Sequence, residues 1–273
     1  MSGESVFEMT FKAIMAEDLA QKQNLITRLH DELATDCQRK IHLNAGDPIK
    51  RIDAPGLPPA VKLVHPRQLQ HRGLGSVEGR AGLIHALAHI EFNAINLALD
   101  AVYRFRGLPV DYYLDWISVA SEEALHHEML CNRLQELGHL YGDFPAHNGL
   151  WDAALRSDND LITRMAIVPC VFEARGLDVT PGMVSRLRQV GDDDSASILE
   201  KILSDEIGHV AIGNRWFKYA CQRKQLDPAS TLIRLIKEKL PTQRFNGELN
   251  LEGRRLAGFN QEQIDALVQQ FSG

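Results

Sequence analysis

The chain has 273 residues, 44% of them hydrophobic, and a formal net charge of -6. That is enough chain to bury a large core. The acidic balance weighs against a nucleic-acid-binding surface, which needs clustered cations, and no run approaches the roughly 18 consecutive apolar residues of a membrane span. The opening MSGESVFEMTFKAIMAEDL has acids early and no basic stretch leading into an apolar run, so it does not read as a secretory signal. An N-terminal helical segment is expected over residues 1–43, where Phe7, Phe11, Ile14, Leu19, Leu25, Leu29 and Leu33 recur at helical spacing. Residues 44–76 hold five of the 11 Pro. Long helices are excluded there. Ile49, Ile52, Leu57, Val61, Leu63 and Val64 favour a segment that wraps a scaffold over a free linker.

Four long helices are expected next. The first covers about 77–105, with Ser76 as a candidate N-cap and Gly107-Leu-Pro109 as the stop. The second covers about 111–140 and ends before YGDFP; the third covers about 158–178, opened by Asp158 or Asn159 and closed by DVTPG. After a shorter helix near 181–190, the fourth covers about 192–224, opened by an Asp run that suits a helix N-terminus. STLIRLIKEKL and QEQIDALVQQF read as two more helices in a C-terminal extension, 227–273. Alternating runs rich in β-branched residues are absent. The expected fold is all-α: a helical bundle over 77–226, with the wrap and both terminal segments joined to it as one compact unit. Cys37, Cys131, Cys170 and Cys221 are far apart with no CxxC. They read as small reduced core residues in a cytoplasmic protein.

SEEALHHE (121–128) and SDEIGHVA (204–211) share the order Ser, acid, Glu, two residues, His. Both Glu-x-x-His phrases lie within apolar stripes. Trp116, Val119, Ala120, Leu130 and Leu134 surround Glu123 and His126; Leu199, Ile202, Leu203, Val210 and Phe217 surround Glu206 and His209. Two lone acids sit on stripes of the other helices. Glu91 lies among Ile84, Leu87, Ala88, Ala94, Ile95, Ala98 and Val102, and Glu173 among Ile162, Ala166, Cys170 and Leu177. Glu91 to Glu173 is 82 residues and Glu123 to Glu206 is 83, so one helix pair is repeated. Four carboxylates in an apolar core are costly unless compensated. Two divalent cations compensate them in formal charge, and four Glu with two His suit iron or manganese. Residues at i and i+3 project to one side of a helix, so a Glu and a His can hold one metal.

This pattern resembles the ferritin-like di-iron carboxylate proteins. HIEFNAINLALD, SEEALHHEML, FEARGLDVTPG and SDEIGHV resemble one branch of them, the DUF455 group, over roughly residues 40–260. The resemblance implies a ferritin-like four-helix bundle. It also implies Glu123 and Glu206 as bridging carboxylates, Glu91 and Glu173 as terminal ones, and His126 and His209 as one ligand for each metal. The implied cofactor is two iron ions, with manganese or a mixed Mn/Fe pair as the variant.

Neighbouring residues allow more than one reading. His127 rivals His126, but the parallel with His209 favours His126; His127 then contacts the site from behind. Glu122 and Asp205 are either solvated acids or acceptors that fix the tautomer of a ligand His. Glu136-Leu-Gly-His139 repeats the phrase at a helix end, about 140° from the ligand face. His85 and His89 lie about 120° and 160° around the helix from Glu91. They read as a packed, hydrogen-bonded pair, with an access channel as the alternative. Pro169 should kink its helix near Glu173. Arg175 reads as a salt-bridge partner or as a carboxylate-binding group near the site. Residues 237–259 read as a packed loop, or as a lid that offers Arg254 and Arg255 to an anionic substrate.

Three functions are compatible with a dinuclear site. The favoured one is an O2-dependent oxidoreductase acting on an unidentified substrate with an unidentified electron donor, because a substrate pocket needs walls beyond four helices. Iron handling or peroxide removal is the second, and a structural metal staple the third. A homodimer is the expected assembly, without membrane or nucleic-acid partners.

Overall fold

A computed structural model describes residues 5–36, 48–70, 72–241 and 248–271. Cys37, the 37–47 stretch joining the first two expected segments, and residues 242–247 of the candidate lid lie outside the described residues. Among the described residues all regular elements are helical, with one isolated bridge, Leu63 to Ala146. The fold is all-α. None of these helices is long and apolar enough to cross a membrane. The chain divides into two units, Met1–Trp151 and Asp152–Gly273.

Unit 1 begins with α1 (Val6–Met15), opened by a capping box between Ser5 and Glu8, and α2 (Leu19–Asp36). Its centre is the pair α3 (Val77–Arg104) and α4 (Val110–Glu136), with α1 packed on α3 and α2 on α4. The Ser76 hydroxyl accepts from the Gly79 N–H and caps α3 as expected. Residues 91–100 of α3 are all buried. Lys22 of α2 is also wholly buried. Its ammonium donates to the carbonyls of Ala13 and Ile14, at 2.6 and 3.1 Å, and to Asn96 Oδ1 at 2.8 Å. Two of these acceptors end α1, where the helix dipole favours a cation.

The proline-rich segment wraps unit 1. Its backbone bonds to Tyr103 Oη at Lys50, to the Ile14 carbonyl at Gly56 and to the Ala146 carbonyl at Val64. The Trp151 indole donates to the Ile52 and Asp53 carbonyls. Gly56 lies so close to α1 that a Cβ would meet the Met15 carbonyl oxygen at 2.2 Å. Ile52 and Val61 turn inward as expected, but Ile49 and Leu63 are each 44% exposed. The segment's hold comes from its backbone bonds as much as from its apolar side chains.

A short helix, α5 (Gly149–Leu155), contains the division point; sequence periodicity gave no sign of it. Unit 2 then runs through α6 (Leu161–Ile167), a π-helical segment (Val168–Glu173), α7 (Ala174–Gln189), α8 (Asp193–Arg223), α9 (Pro228–Lys239), α10 (Leu251–Leu256) and α11 (Gln261–Phe271). Three expectations change here. The cap of α6 is Asp160, which accepts from the Thr163 N–H, in place of Asp158 or Asn159. DVTPG does not stop the helix: α7 continues through Pro181, and the Leu177 carbonyl, which that proline cannot serve, accepts from Asn250 Nδ2 at 3.0 Å. Residues 251–256 are helical, capped by Asn250, where a loop was expected. Arg254 points inward and pairs with Asp178 at 2.8 Å, both side chains almost fully buried. It is a brace between α10 and α7, so it is not a lid group for substrate.

Candidate metal centre

In unit 1 the middle of α4 carries the first Glu-x-x-His turn. Glu123 and His126 are each 1% exposed. One helical turn apart, they face each other, with His126 Nδ1 at 3.3 Å from Glu123 Oε2. Glu91 comes from α3, the partner helix, and its Oε2 lies 3.8 Å from the same nitrogen. Burial alone would push the imidazole towards its neutral form, but the carboxylates of Glu123 and Glu91 prevail and raise His126 to about 10. A proton therefore holds the ring in the place where a cation would compensate the two acids.

In unit 2 the middle of α8 repeats the arrangement. His209 Nδ1 lies 3.3 Å from Glu206 Oε1; the His side chain is 2% exposed and the Glu side chain 12%. Glu173 is the last residue of the π segment, and its Oε2 is shut off from solvent.

Glu123 and His126 in unit 1, and Glu206 and His209 in unit 2, are residues that could hold a metal ion. Each offers one ligand atom. Glu91 approaches the unit 1 pair through His126. Glu173 is not one of the four. An imidazole beside a carboxylate suits a divalent cation of intermediate softness, and three of these four residues are buried.

The neighbours of these residues in each unit have other partners. His127 Nδ1 donates to the Ala88 carbonyl at 2.8 Å, and its Nε2 lies 3.4 Å from Cys131 Sγ. Burial lowers its pKa to about 4. Asp205 forms an ion pair with Lys201, Glu122 is exposed, and Arg175 lies 3.9 Å from Asp178. His85 and His89 are packed and hydrogen-bonded in unit 1. His85 Nε2 accepts from the Gly142 N–H, and His89 Nδ1 bonds with the Tyr141 hydroxyl at 2.8 Å. The rings of His85, His89, Phe92 and His127 all pack against Tyr141. Sequence spacing missed this assembly because Tyr141 comes from a loop. Cys131, Cys170 and Cys221 carry free thiols, and burial raises all three pKa values.

Residues 15–265 match the family described as "Protein of unknown function (DUF455)". An "Uncharacterized protein" of Haemophilus influenzae (strain ATCC 51907 / DSM 11121 / KW20 / Rd) is 37% identical over 264 residues, covering 94% of this chain and 91% of that protein. No solved structure matches.

Proposed function

The chain belongs to the DUF455 family, and from that premise we propose that it is a ferritin-like dinuclear metal protein with O2-dependent oxidoreductase activity. The observation that carries the reading is the same Glu-x-x-His turn in each unit, Glu123 with His126 and Glu206 with His209, each His Nδ1 3.3 Å from its Glu. The fold we read in it is a four-helix bundle of α3, α4, the α6–α7 run and α8. Six residues would hold two metal ions: Glu91, Glu123, His126, Glu173, Glu206 and His209. Iron is the proposed metal, with manganese or a mixed pair compatible with the same donors. A bound iron pair supplies one-electron steps and O2 reduction that no protein side chain can.

The chain's own residues have definable tasks. Glu123 and Glu206 bring negative charge to the centre. His126 and His209 would bind as neutral imidazoles, so the proton that the acids hold on His126 has to leave as metal enters. Burial of Glu91 and Glu123 keeps bulk water from one side. An organic substrate and an electron donor complete the proposed reaction.

The test is metal content after purification from iron-supplemented cells, with Glu123→Ala and Glu206→Ala in parallel. Anaerobic reduction and an O2 pulse, followed by absorbance, come next. About two iron per chain, lost in both variants, with a transient after O2, is the expected result. A chain without transition metal, or with metal that persists in both variants, would refute the reading.

A further inference from the structure

Glu173 and Glu91 are the two lone acids of the repeat, but different backbones present them. Glu91 sits inside an unbroken α-helix of 28 residues. Glu173 closes a π-helical segment of six. A π turn spends one residue more than an α turn, so it rotates the downstream helix by about 100° relative to the upstream one. The direction of the Glu173 side chain is therefore set by that segment.

Two features hold the π segment. Pro169 has no N–H, and in a regular α turn its ring would collide with the carbonyl four residues back, that of Met165. The π segment begins at Val168, just before this proline, and the Ala174 N–H closes its last wide turn on the Pro169 carbonyl. The second feature is on α8. A Cβ at Gly213 would lie 2.1 Å from Pro169 Cβ and 2.5 Å from its Cγ, so no side chain fits there. Gly in mid-helix costs about 1 kcal/mol relative to Ala, and here that position admits the proline ring. Gly213 comes four residues after His209 and seven after Glu206, which puts the notch on their face of α8.

We infer that the Pro169–Gly213 seat is a positioning device that turns Glu173 towards the Glu206–His209 face and so completes the metal ligands of unit 2. The inference rests on the dinuclear reading above. Pro169 and Gly213 touch no metal in this scheme; they act through Glu173.

The test measures metal stoichiometry and backbone exchange in the full-length chain. Gly213→Ala should keep its helical circular dichroism but bind about one metal ion where the wild type binds about two. Pro169→Ala, which removes the ring that occupies the seat, should likewise keep the helices and bind about one ion. Two ions retained in Gly213→Ala would overturn the inference. So would two ions retained in Pro169→Ala. A wild type without metal would sink the dinuclear reading instead. The seat is then judged in metal-free protein, where Gly213→Ala should speed hydrogen exchange of the Ala174 amide at least about tenfold; unchanged exchange refutes it.

Discussion

The two Glu-x-x-His turns have the same internal geometry and different surroundings. In each, the His Nδ1 stands 3.3 Å from its own Glu. The Glu123 side chain is 1% exposed, whereas that of Glu206 keeps 12%. In unit 1, α3 is buried throughout residues 91–100, and His127, four residues after Glu123, packs on Tyr141. Beside Glu206, Asp205 pairs with Lys201, whose side chain is 61% exposed. One half is walled by packed rings, and the other borders water. The ligand phrase specifies chemistry, but the elements packed behind it decide how dry each carboxylate is.

Carboxylate replacement should expose this contrast most strongly. Glu123→Ala and Glu206→Ala should each weaken metal binding by more than about 100-fold, since even the groups that merely orient ligands contribute 10- to 100-fold. Added acetate or formate should partly rescue Glu206→Ala and leave Glu123→Ala empty. Titration calorimetry with and without acetate measures both; equal rescue would erase the difference between the halves. Next in size is the brace of unit 2. Arg254→Met leaves the Asp178 carboxylate buried with weaker partners, the Asn250 N–H and the more distant Arg175. About 3 kcal/mol of stability should be lost in urea unfolding. A loss below about 1 kcal/mol would mean that solvent reaches Asp178.

How far the sequence could reveal this depends on the kind of signal each feature leaves. The helices that carry the ligands were legible because long apolar stripes persist over many turns, and Glu91, Glu123 and Glu206 interrupt them conspicuously. Glu173 was legible as an acid on a stripe, but its presentation was not. Counting at 100° per residue assumes an unbroken α-helix, and the π segment breaks that count between Ala166 and Leu177. Pro169 was the available clue, and it correctly marked the irregularity. Gly213 had no readable meaning until Pro169 was found against it. Short elements such as α5 and α10 complete too few turns to show a period. The ring cluster needed Tyr141 and Phe144 from a loop, a contact that no local pattern encodes. Pro181 misled in the opposite direction, because an exposed proline inside a helix looks like a stop.

The imidazoles of unit 1 sharpen the comparison further. His126 is the proposed ligand, and His127 beside it bonds to the Ala88 carbonyl. His126→Ala should abolish binding at that half-site. His127→Gln should leave metal stoichiometry unchanged while it costs about 1–2 kcal/mol from a broken buried hydrogen bond. Loss of metal in His127→Gln with wild-type stability would reverse the two assignments.

The smallest effect concerns pH and should belong to unit 1. Burial lowers His85 from 6.5 to about 4, although Asp143 pulls the other way. Above pH 6.5 the ring is neutral in the folded and unfolded chain alike, and its contribution to stability is fully present. As pH falls below 6.5 the unfolded chain takes up a proton that the folded chain refuses, so stability declines until about pH 4. His85→Gln keeps an acceptor for the Gly142 N–H and removes the titration. Its melting temperature should therefore fall less than that of the wild type between pH 6.5 and 4, by a few degrees. Parallel melting curves for the two proteins would place the acid sensitivity elsewhere, and the packing of His85 on Tyr141 would then tolerate a charged imidazole.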